Sequence, residues 1–199
     1  SYLMLANAKR AMDALQQGLS LNPKSAKAVI EKTASTLDVL NSLSHEDKVK
    51  RLIRKGECLT VEFKETFSLD VRTNKREKYI EESSLKNIVG FMNKIGGVLL
   101  IGVNDNAEVV GIESERVKDD DNYLLHFKNK IKHSIGEEFY DLIEYELVEV
   151  DEKKVLLVEC RKSKKPVYLN GKDFYVRTNP ATDKLEGPQL VEYIQLHFH

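Results

Sequence analysis

The sequence is poor in the features that mark several specialised classes of protein. Its 199 residues include only two cysteines, Cys58 and Cys160, and no CxxC pair. This usage predicts neither a zinc module nor a disulfide framework, so we expect two reduced thiols in a cytoplasmic protein. The longest apolar run, residues 98–103, is far shorter than the roughly 20 residues of a membrane helix, so we expect no membrane partner.

An excess of charge of one sign is also missing, because the formal net charge is −1. The chain as a whole therefore has no electrostatic attraction for nucleic acid, and any such binding must depend on local clusters. No GxxxxGK[ST] motif occurs, and Gly96-Gly97 leads into a predicted strand rather than into the start of a helix. A phosphate-binding loop of that kind is not predicted, and we do not expect an ATPase.

Residues 1–45 carry two apolar stripes with helical periodicity, separated by Asn22-Pro23, which is typical of a helix start. They predict an N-terminal helical hairpin. Its charged, amphipathic beginning does not indicate a signal peptide, and its seven-residue periodicity permits homo-oligomerisation. We therefore divide the chain into a helical appendage, 1–45, and a second domain, 46–199.

Residues 46–199 switch between strand-like and helix-like patterns, which predicts an α+β fold with a mixed β-sheet and flanking helices. The run 98–103 is apolar on both faces and is expected to lie at the centre of the sheet. The predicted strands are 59–66, 98–103, 108–112, 143–150, 154–160, 167–169 and 174–177. The predicted helices are a short one that ends at Gly56, then 80–94, 120–135 and one that starts at Gly187-Pro188, while 70–78 is predicted to be a loop.

Three sequence blocks follow one another in this second domain. They are VEFK at 61–64, KNIVGFMNKIGGVLLIGVND at 86–105 with VVGI shortly after, and FYVRTNPAT at 174–182. Together they resemble the Schlafen/AlbA-like domain, and the resemblance covers residues 50–180. The family's usual small residue and threonine are here Met92 and Lys94, whereas Asn93, Gly96 and Gly97 match it. The resemblance implies a nucleic-acid-binding module.

In vertebrate Schlafens interpreted as ribonucleases, three carboxylates form a metal-dependent centre that cuts structured RNA, notably tRNA. By resemblance, these positions correspond to Glu57, Glu62 and Asp105 in this sequence. Such a site would hold Mg²⁺ or Mn²⁺, which prefer hard oxygen ligands and can activate water for phosphodiester hydrolysis. The resemblance thus implies both a catalytic and a metal-binding role for the three residues.

The spacing of the two glutamates constrains this hypothesis. Residues five apart in a regular strand face opposite sides, so Glu57 must lie on the turn after Gly56 to share a site with Glu62. The residues alone leave other interpretations open. Glu62 could be an outward-facing strand residue paired with Lys64, and Asp105 could stabilise the backbone of an Asn-Asp-Asn turn.

Two basic clusters, VRTNKREKY at 71–79 and CRKSKKPVY at 160–168, are candidates for contact with a phosphate backbone. They could equally be solvated loops. Arg177 could be an ion-pair partner or a phosphate contact. The candidate nucleic-acid-binding residues are Lys64, Arg72, Lys75, Arg76, Lys78, Arg161, Lys162, Lys164, Lys165, Tyr168 and Arg177.

The sequence therefore favours a nucleic-acid-binding domain, with RNA preferred over DNA and with endoribonuclease activity as a further hypothesis. Two other interpretations stay open. The domain could be a non-catalytic DNA-binding regulatory module whose carboxylates are structural, or the helical hairpin could make the chain a protein-interaction adaptor.

Overall fold

The structure is a computed structural model that describes residues 45–115, 119–179 and 181–198. The chain divides into two units, Ser1–Lys48 and Val49–His199. The predicted hairpin over 1–45 lies outside the described residues except for its last position, so the hairpin and its boundary stay predictions. The first helix of the described residues, α1, covers residues 45–55.

A four-stranded mixed sheet forms the centre of the second unit, in the order β1-β4-β6-β5. The first pair, β1 with β4, is parallel, and the β4–β6 and β6–β5 pairs are antiparallel. These strands are β1 (Val61–Lys64), β4 (Gly97–Ile101), β5 (Ile143–Val150) and β6 (Lys153–Cys160). The predicted α+β class and the central position of the 98–103 run are both confirmed.

Helices cover one face of this sheet, and they form because their apolar residues recur at helical spacing. On α2 (Lys78–Met92) Leu85 and Ile88 point inward, as do Phe127 and Ile131 on α3 (Asp120–Ser134). They pack with Leu99 of the central strand in one buried cluster. Burying a side chain of this kind contributes roughly 1.5–3 kcal/mol, so the cluster is a main source of stability.

The opposite face of the sheet packs against α1. Val49 of α1 is buried with Val61 and Phe63 of β1 and with Leu100 of β4 in a second cluster. Because side chains alternate along a strand, Glu62 lies on the other face of β1, towards α2. The sheet therefore separates two surfaces, and the first predicted carboxylate of the strand faces the α2 side.

The remaining elements surround this core. They are β2 (Leu69–Asp70), β3 (Lys75–Arg76), β7 (Phe174–Arg177), β8 (Thr182–Leu185) and α4 (Gly187–His197). The β2–β3 and β7–β8 pairs form two-stranded antiparallel sheets.

Among the described residues, no helix has the length and apolar character needed to cross a bilayer. The two cysteines are free, and burial raises the pKa of the Cys160 thiol well above its usual value.

Several predicted boundaries were wrong. The first strand begins at Val61 and not at Leu59, because Cys58 and Val61 exchange backbone hydrogen bonds of 2.9 and 3.3 Å across a tight turn. The predicted 70–78 loop contains the β2–β3 hairpin, and the predicted strand 108–112 is reduced to an isolated bridge between Val103 and Val109. The predicted strand 167–169 is likewise only a bridge, at Leu169.

Candidate nucleic-acid interface

Glu57 lies on the turn that follows Gly56, outside β1, as a site shared with Glu62 would require. Gly56 ends α1 with a φ of 75°, a left-handed conformation that glycine adopts without strain. The Glu57 side chain is exposed, and its Oε1 accepts a hydrogen bond of 2.9 Å from the backbone N–H of Phe63. Glu57 thus satisfies a donor on the free edge of β1, which is an edge strand of the sheet.

Glu62 is buried on the α2 side of β1 and both of its carboxylate oxygens have partners. Oε2 lies 2.7 Å from Nη1 of Arg177. Oε1 lies 2.6 Å from Nζ of Lys64 and accepts a 3.1 Å hydrogen bond from Nδ2 of Asn87 on α2. The negative charge of Glu62 is therefore compensated by two cations within the fold.

Arg177 is enclosed, with 1% of its surface exposed. Its Nη2 donates to the carbonyl oxygens of Cys58 at 2.8 Å and Val61 at 3.1 Å, and its Nη1 donates to Thr182 Oγ1 at 3.2 Å. The guanidinium also lies over the ring of Phe91, 5.1 Å from its centre. Of the two roles open from the sequence, this geometry supports the ion-pair partner, because a phosphate cannot reach the side chain.

Asp105 is exposed in the turn that follows β4, and Asn104 stabilises that turn. Oδ1 of Asn104 accepts hydrogen bonds from the backbone N–H groups of Asn106 at 3.0 Å and Glu108 at 2.9 Å. The turn-stabilising role considered for Asp105 thus belongs to its neighbour. The carboxylate of Asp105 is left facing solvent.

The three carboxylates, as placed here, do not fit one divalent ion. Glu57 and Glu62 approach the same segment of β1, but Asp105 belongs to a turn beyond the end of β4. Within the described part of the chain, no group of three or more histidine, cysteine, aspartate or glutamate side chains could hold a metal. Glu62, with its charge compensated by Arg177 and Lys64, is also a poor ligand in this arrangement.

The first basic loop, residues 71–78, extends from the β2–β3 hairpin into the start of α2. Its four basic side chains, Arg72, Lys75, Arg76 and Lys78, are all exposed. The hairpin is held by a hydrogen bond from the Tyr79 hydroxyl to Asp70, which lowers the pKa of Asp70 and raises the pKa of Tyr79.

Glu115, which the sequence analysis missed, anchors the segment that leads into this loop. It is 1% exposed and accepts hydrogen bonds from the backbone N–H groups of Phe67 and Ser68, the Ser68 hydroxyl and the Tyr123 hydroxyl, at 2.7–2.9 Å. Its carbonyl oxygen also accepts a 3.2 Å hydrogen bond from Arg76. No local sequence signal marks this role, because every partner except Tyr123 is distant in sequence.

The second basic loop, residues 161–165, is fixed to the other end of α2. The buried Ser163 donates its N–H to the carbonyl of Met92 at 2.8 Å, and its hydroxyl donates to the carbonyl of Lys165 at 2.7 Å. Just beyond the loop, Val167 and Asn93 exchange two hydrogen bonds of 2.8 and 2.9 Å. The backbone of the loop is therefore held in place.

The basic side chains of this second loop differ in their contacts. Arg161 pairs with Glu144 at 3.1 Å, and Lys165 lies 4.9 Å from the centre of the Phe139 ring. Lys162 and Lys164 are exposed, and neither has an ion-pair partner among the described residues. Tyr168, the predicted stacking residue, is half-buried, and its ring centre is 5.4 Å from that of Phe174.

A family model described as Schlafen, AlbA_2 matches residues 57–186. The chain belongs to this family. The matched region contains the three carboxylates and both basic loops. Membership of this family indicates a nucleic-acid-related domain. A search of curated proteins found no match to the chain.

One solved structure supports the fold of this Schlafen AlbA_2 domain. The DIP2311 protein from Corynebacterium diphtheriae is 16% identical, with a TM-score of 0.51 over 71% of this chain and 24% of its own. The match therefore spans about a quarter of the DIP2311 chain. The N-terminal domain of a RecG-related protein from Nitrosomonas europaea is 19% identical, with a TM-score of 0.45 over 71% of this chain and 88% of its own.

The three sequence blocks of the Schlafen AlbA_2 domain meet around one buried network. Glu62 comes from the first block, Asn87 and Phe91 from the second, and Arg177 and Thr182 from the third. Asn87 joins all three, since its Nδ2 donates to Glu62 at 3.1 Å and its Oδ1 accepts from Thr182 Oγ1 at 2.6 Å. The order of the blocks thus reflects a contact that holds β1, α2 and the β7–β8 pair together.

Proposed function

We propose that this domain binds nucleic acid, with structured RNA preferred, along the two basic loops at the ends of α2. The observation that carries the proposal is the second basic loop. It presents Lys162 and Lys164 to solvent without ion-pair partners among the described residues, on a backbone anchored through Ser163 and Asn93. Charges that the fold leaves uncompensated are available to phosphates, and an anchored backbone loses little conformational entropy on binding.

The separation of the loops suggests the length of the ligand. The 15 residues of α2 lie between them, and at 1.5 Å per residue this helix is about 22 Å long. A B-form DNA duplex advances by 3.4 Å per base pair, so a duplex aligned with the helix would need roughly six base pairs of DNA to reach both loops, and more of A-form RNA, whose rise per base pair is smaller. We expect the affinity to rise sharply as the duplex grows past this length and to level off beyond it.

The salt dependence of binding tests the phosphate contacts directly. Fluorescence anisotropy with labelled duplex RNA, measured across a range of salt concentrations, gives a slope that reports the phosphates neutralised. The double change Lys162→Ala/Lys164→Ala should reduce that slope by about 1–2, in line with roughly 0.9 per contact. Lys172→Ala, an exposed lysine outside both loops, is the control and should leave the slope unchanged.

The choice between RNA and DNA is tested in the same assay. We expect structured RNA such as tRNA to compete more strongly than duplex DNA of equal length. Stronger competition by DNA would instead favour a DNA-binding regulatory module. Binding that is absent, or that does not weaken with salt, would overturn the proposal and favour a protein-interaction role.

A test of the endoribonuclease hypothesis requires variants of the carboxylates in place of the lysine variants used for binding. Glu62→Ala would leave Arg177 buried without its partner, so lost cleavage could reflect unfolding. Glu57→Gln and Asp105→Asn change exposed side chains and are the better probes. If the domain cuts RNA through these carboxylates, incubation with tRNA will give cleavage in Mg²⁺ or Mn²⁺ but not in EDTA, and both variants will lose that cleavage while remaining folded. Metal-dependent cutting that survives both changes would contradict the three-carboxylate assignment, and no cutting by the unmodified protein would leave a binding module.

A further inference from the structure

A cavity of about 590 Å³ opens on the α1 side of the sheet, away from α2 and both basic loops. Its walls come from the second half of α1, the turn after β4 and the β5–β6 turn. This volume lies within the 300–1,000 Å³ that is usual for small-molecule sites. Part of its lining lies outside the Schlafen AlbA_2 match, because Lys50, Ile53 and Arg54 of α1 precede residue 57.

Among the described residues, three basic side chains and one carboxylate line the cavity: Lys50, Arg54, Lys153 and Asp151. Lys50 and Arg54 are four residues apart on α1 and so share one side of the helix. Nζ of Lys50 lies 2.8 Å from Asp151, which compensates one of the three positive charges. The part of the lining that the structure describes therefore has an excess of positive charge.

Backbone contacts hold the cations in position. Nε of Arg54 donates to the carbonyl of Lys50 at 3.2 Å, which orients the guanidinium while its terminal nitrogens make no other hydrogen bond with the described residues. Nζ of Lys153 donates to the carbonyl of Val109 at 2.8 Å, and an ammonium has three donors. Both cations can thus bind an anion without first losing their present contacts.

The turn that carries Asp151 and Lys153 is a strained one. Asp151 and Glu152 have φ values of 51° and 63°, as a two-residue hairpin turn with right-handed twist requires. Side chains other than glycine adopt this conformation at a cost of roughly 1–2 kcal/mol per residue. The turn brings Lys153 into the same lining as Lys50 and Arg54 of α1.

The other described residues of the lining are apolar: Ile53, Ala107, Val109 and Val150. Binding of an inorganic ion alone does not require apolar side chains in the lining. Apolar side chains suit a flat ring, such as a nucleobase, next to a charged group. The charged part and the apolar part of the lining together favour a ligand that is anionic at one end and apolar at the other.

We infer that this cavity is a second binding site, which takes a nucleotide unit with its phosphate between Arg54 and Lys153. Arginine and lysine are common phosphate ligands, and the arginine fork suits two phosphate oxygens at once. The ring of the nucleotide lies against Ile53 and Val109. The unit is either a free mononucleotide or the phosphorylated end of a strand, and this site is independent of the two basic loops.

Nuclear magnetic resonance titration of the full chain tests the site. The probes are inorganic phosphate, a 5′-mononucleotide, a nucleoside without phosphate and a 5′-phosphorylated dinucleotide. We expect the mononucleotide or the dinucleotide to shift the backbone amides of Ala107, Val109 and Val150, and the nucleoside to bind at least tenfold more weakly. A response to the dinucleotide alone identifies a strand end, whereas a response to both identifies the nucleotide unit itself.

Variants separate this site from general electrostatic attraction. Arg54→Ala and Lys153→Ala should each weaken nucleotide binding about tenfold, as expected for a hydrogen bond to a charged group. Arg51→Ala and Lys55→Ala change exposed cations of the same helix that do not line the cavity, and they should have little effect. Equal losses in all four variants, or no amide shifts with any probe, would overturn the inference.

A failure of this inference can be distinguished from a failure of the proposed duplex binding at the two basic loops. Lys162→Ala/Lys164→Ala should weaken duplex binding and leave the mononucleotide titration unchanged. Loss of both types of binding in that variant would contradict an independent second site. Binding of inorganic phosphate as tight as that of the mononucleotide would contradict the role assigned to the apolar wall.

Discussion

Glu62 and Arg177 form a buried ion pair that joins the first strand of the central sheet to β7. Their charged atoms are 2.7 Å apart, and Arg177 is 1% exposed. Lys64 adds a second positive charge at 2.6 Å. The pair explains why the first and third sequence blocks occur together, and it gives the VEFK glutamate a structural role whatever else it does.

Arg177→Met should therefore lower the free energy of unfolding by about 3–5 kcal/mol, because it leaves Glu62 without its enclosed partner. Urea denaturation followed by circular dichroism measures the loss. Lys64→Met is the control and should cost less than Arg177→Met, because the Lys64 side chain is 24% exposed whereas Arg177 is 1% exposed. A loss for Arg177→Met no larger than the control would contradict the assigned role.

Asn104→Ala should destabilise the turn after β4, whereas Asp105→Ala should not. Asn104 Oδ1 accepts two backbone hydrogen bonds, so its removal should cost about 1 kcal/mol. An exposed side chain such as Asp105 should change stability by less than about 0.5 kcal/mol. Denaturant melts of both variants make the comparison, and the reverse order would show that the aspartate stabilises the turn.

Tyr123 should make the fold sensitive to alkaline pH. Burial, followed by the charge of Glu115 and its hydrogen bond, raises the pKa of Tyr123 well above its usual value. Its contribution to stability is fully present below the unfolded-state pKa of about 10 and is lost as the pH rises through the folded-state pKa.

The comparison with Tyr123→Phe isolates this effect. The variant should be less stable at neutral pH by roughly 1.5–3 kcal/mol, since Glu115 loses a hydrogen bond to a charged group. The difference from the unmodified protein should shrink above pH 10. A constant difference across the alkaline range, measured by urea denaturation, would contradict the prediction.

Gly97→Ala should destabilise the start of β4 by steric overlap. A Cβ at this position would lie 2.8 Å from Cγ of Phe91, whose ring is fully buried and cannot move aside. Overpacking of this kind costs about 1–3 kcal/mol. The double change Gly97→Ala/Phe91→Leu should cost less than the sum of the two single changes, and strict additivity in thermal melts would rule out the clash.

Much of the fold could be predicted from the sequence because it follows from local periodicity. The helical spacing of Leu85 and Ile88, the two-faced apolar run at 98–103 and the turn at Asp151-Glu152 each determine an element through contacts between near neighbours. One error occurred where the pairing of a segment, and not its own residue pattern, decides its structure. Thr182–Leu185, a strand that was not predicted, is polar in its middle and is defined by its pairing with β7.

The features of the candidate site also divide into those that follow from the sequence and those that depend on the folded structure. The family, the two basic clusters and the requirement that Glu57 lie on a turn could be inferred from the sequence, because they depend on residue order and on strand alternation. Folding was needed to show that Arg177 is a buried partner of Glu62, that Asn104 stabilises the turn beside Asp105, and that Glu115 anchors the first basic loop. Each of these roles depends on groups brought together by folding, and burial then determines whether a charge is compensated inside the protein or available to a ligand.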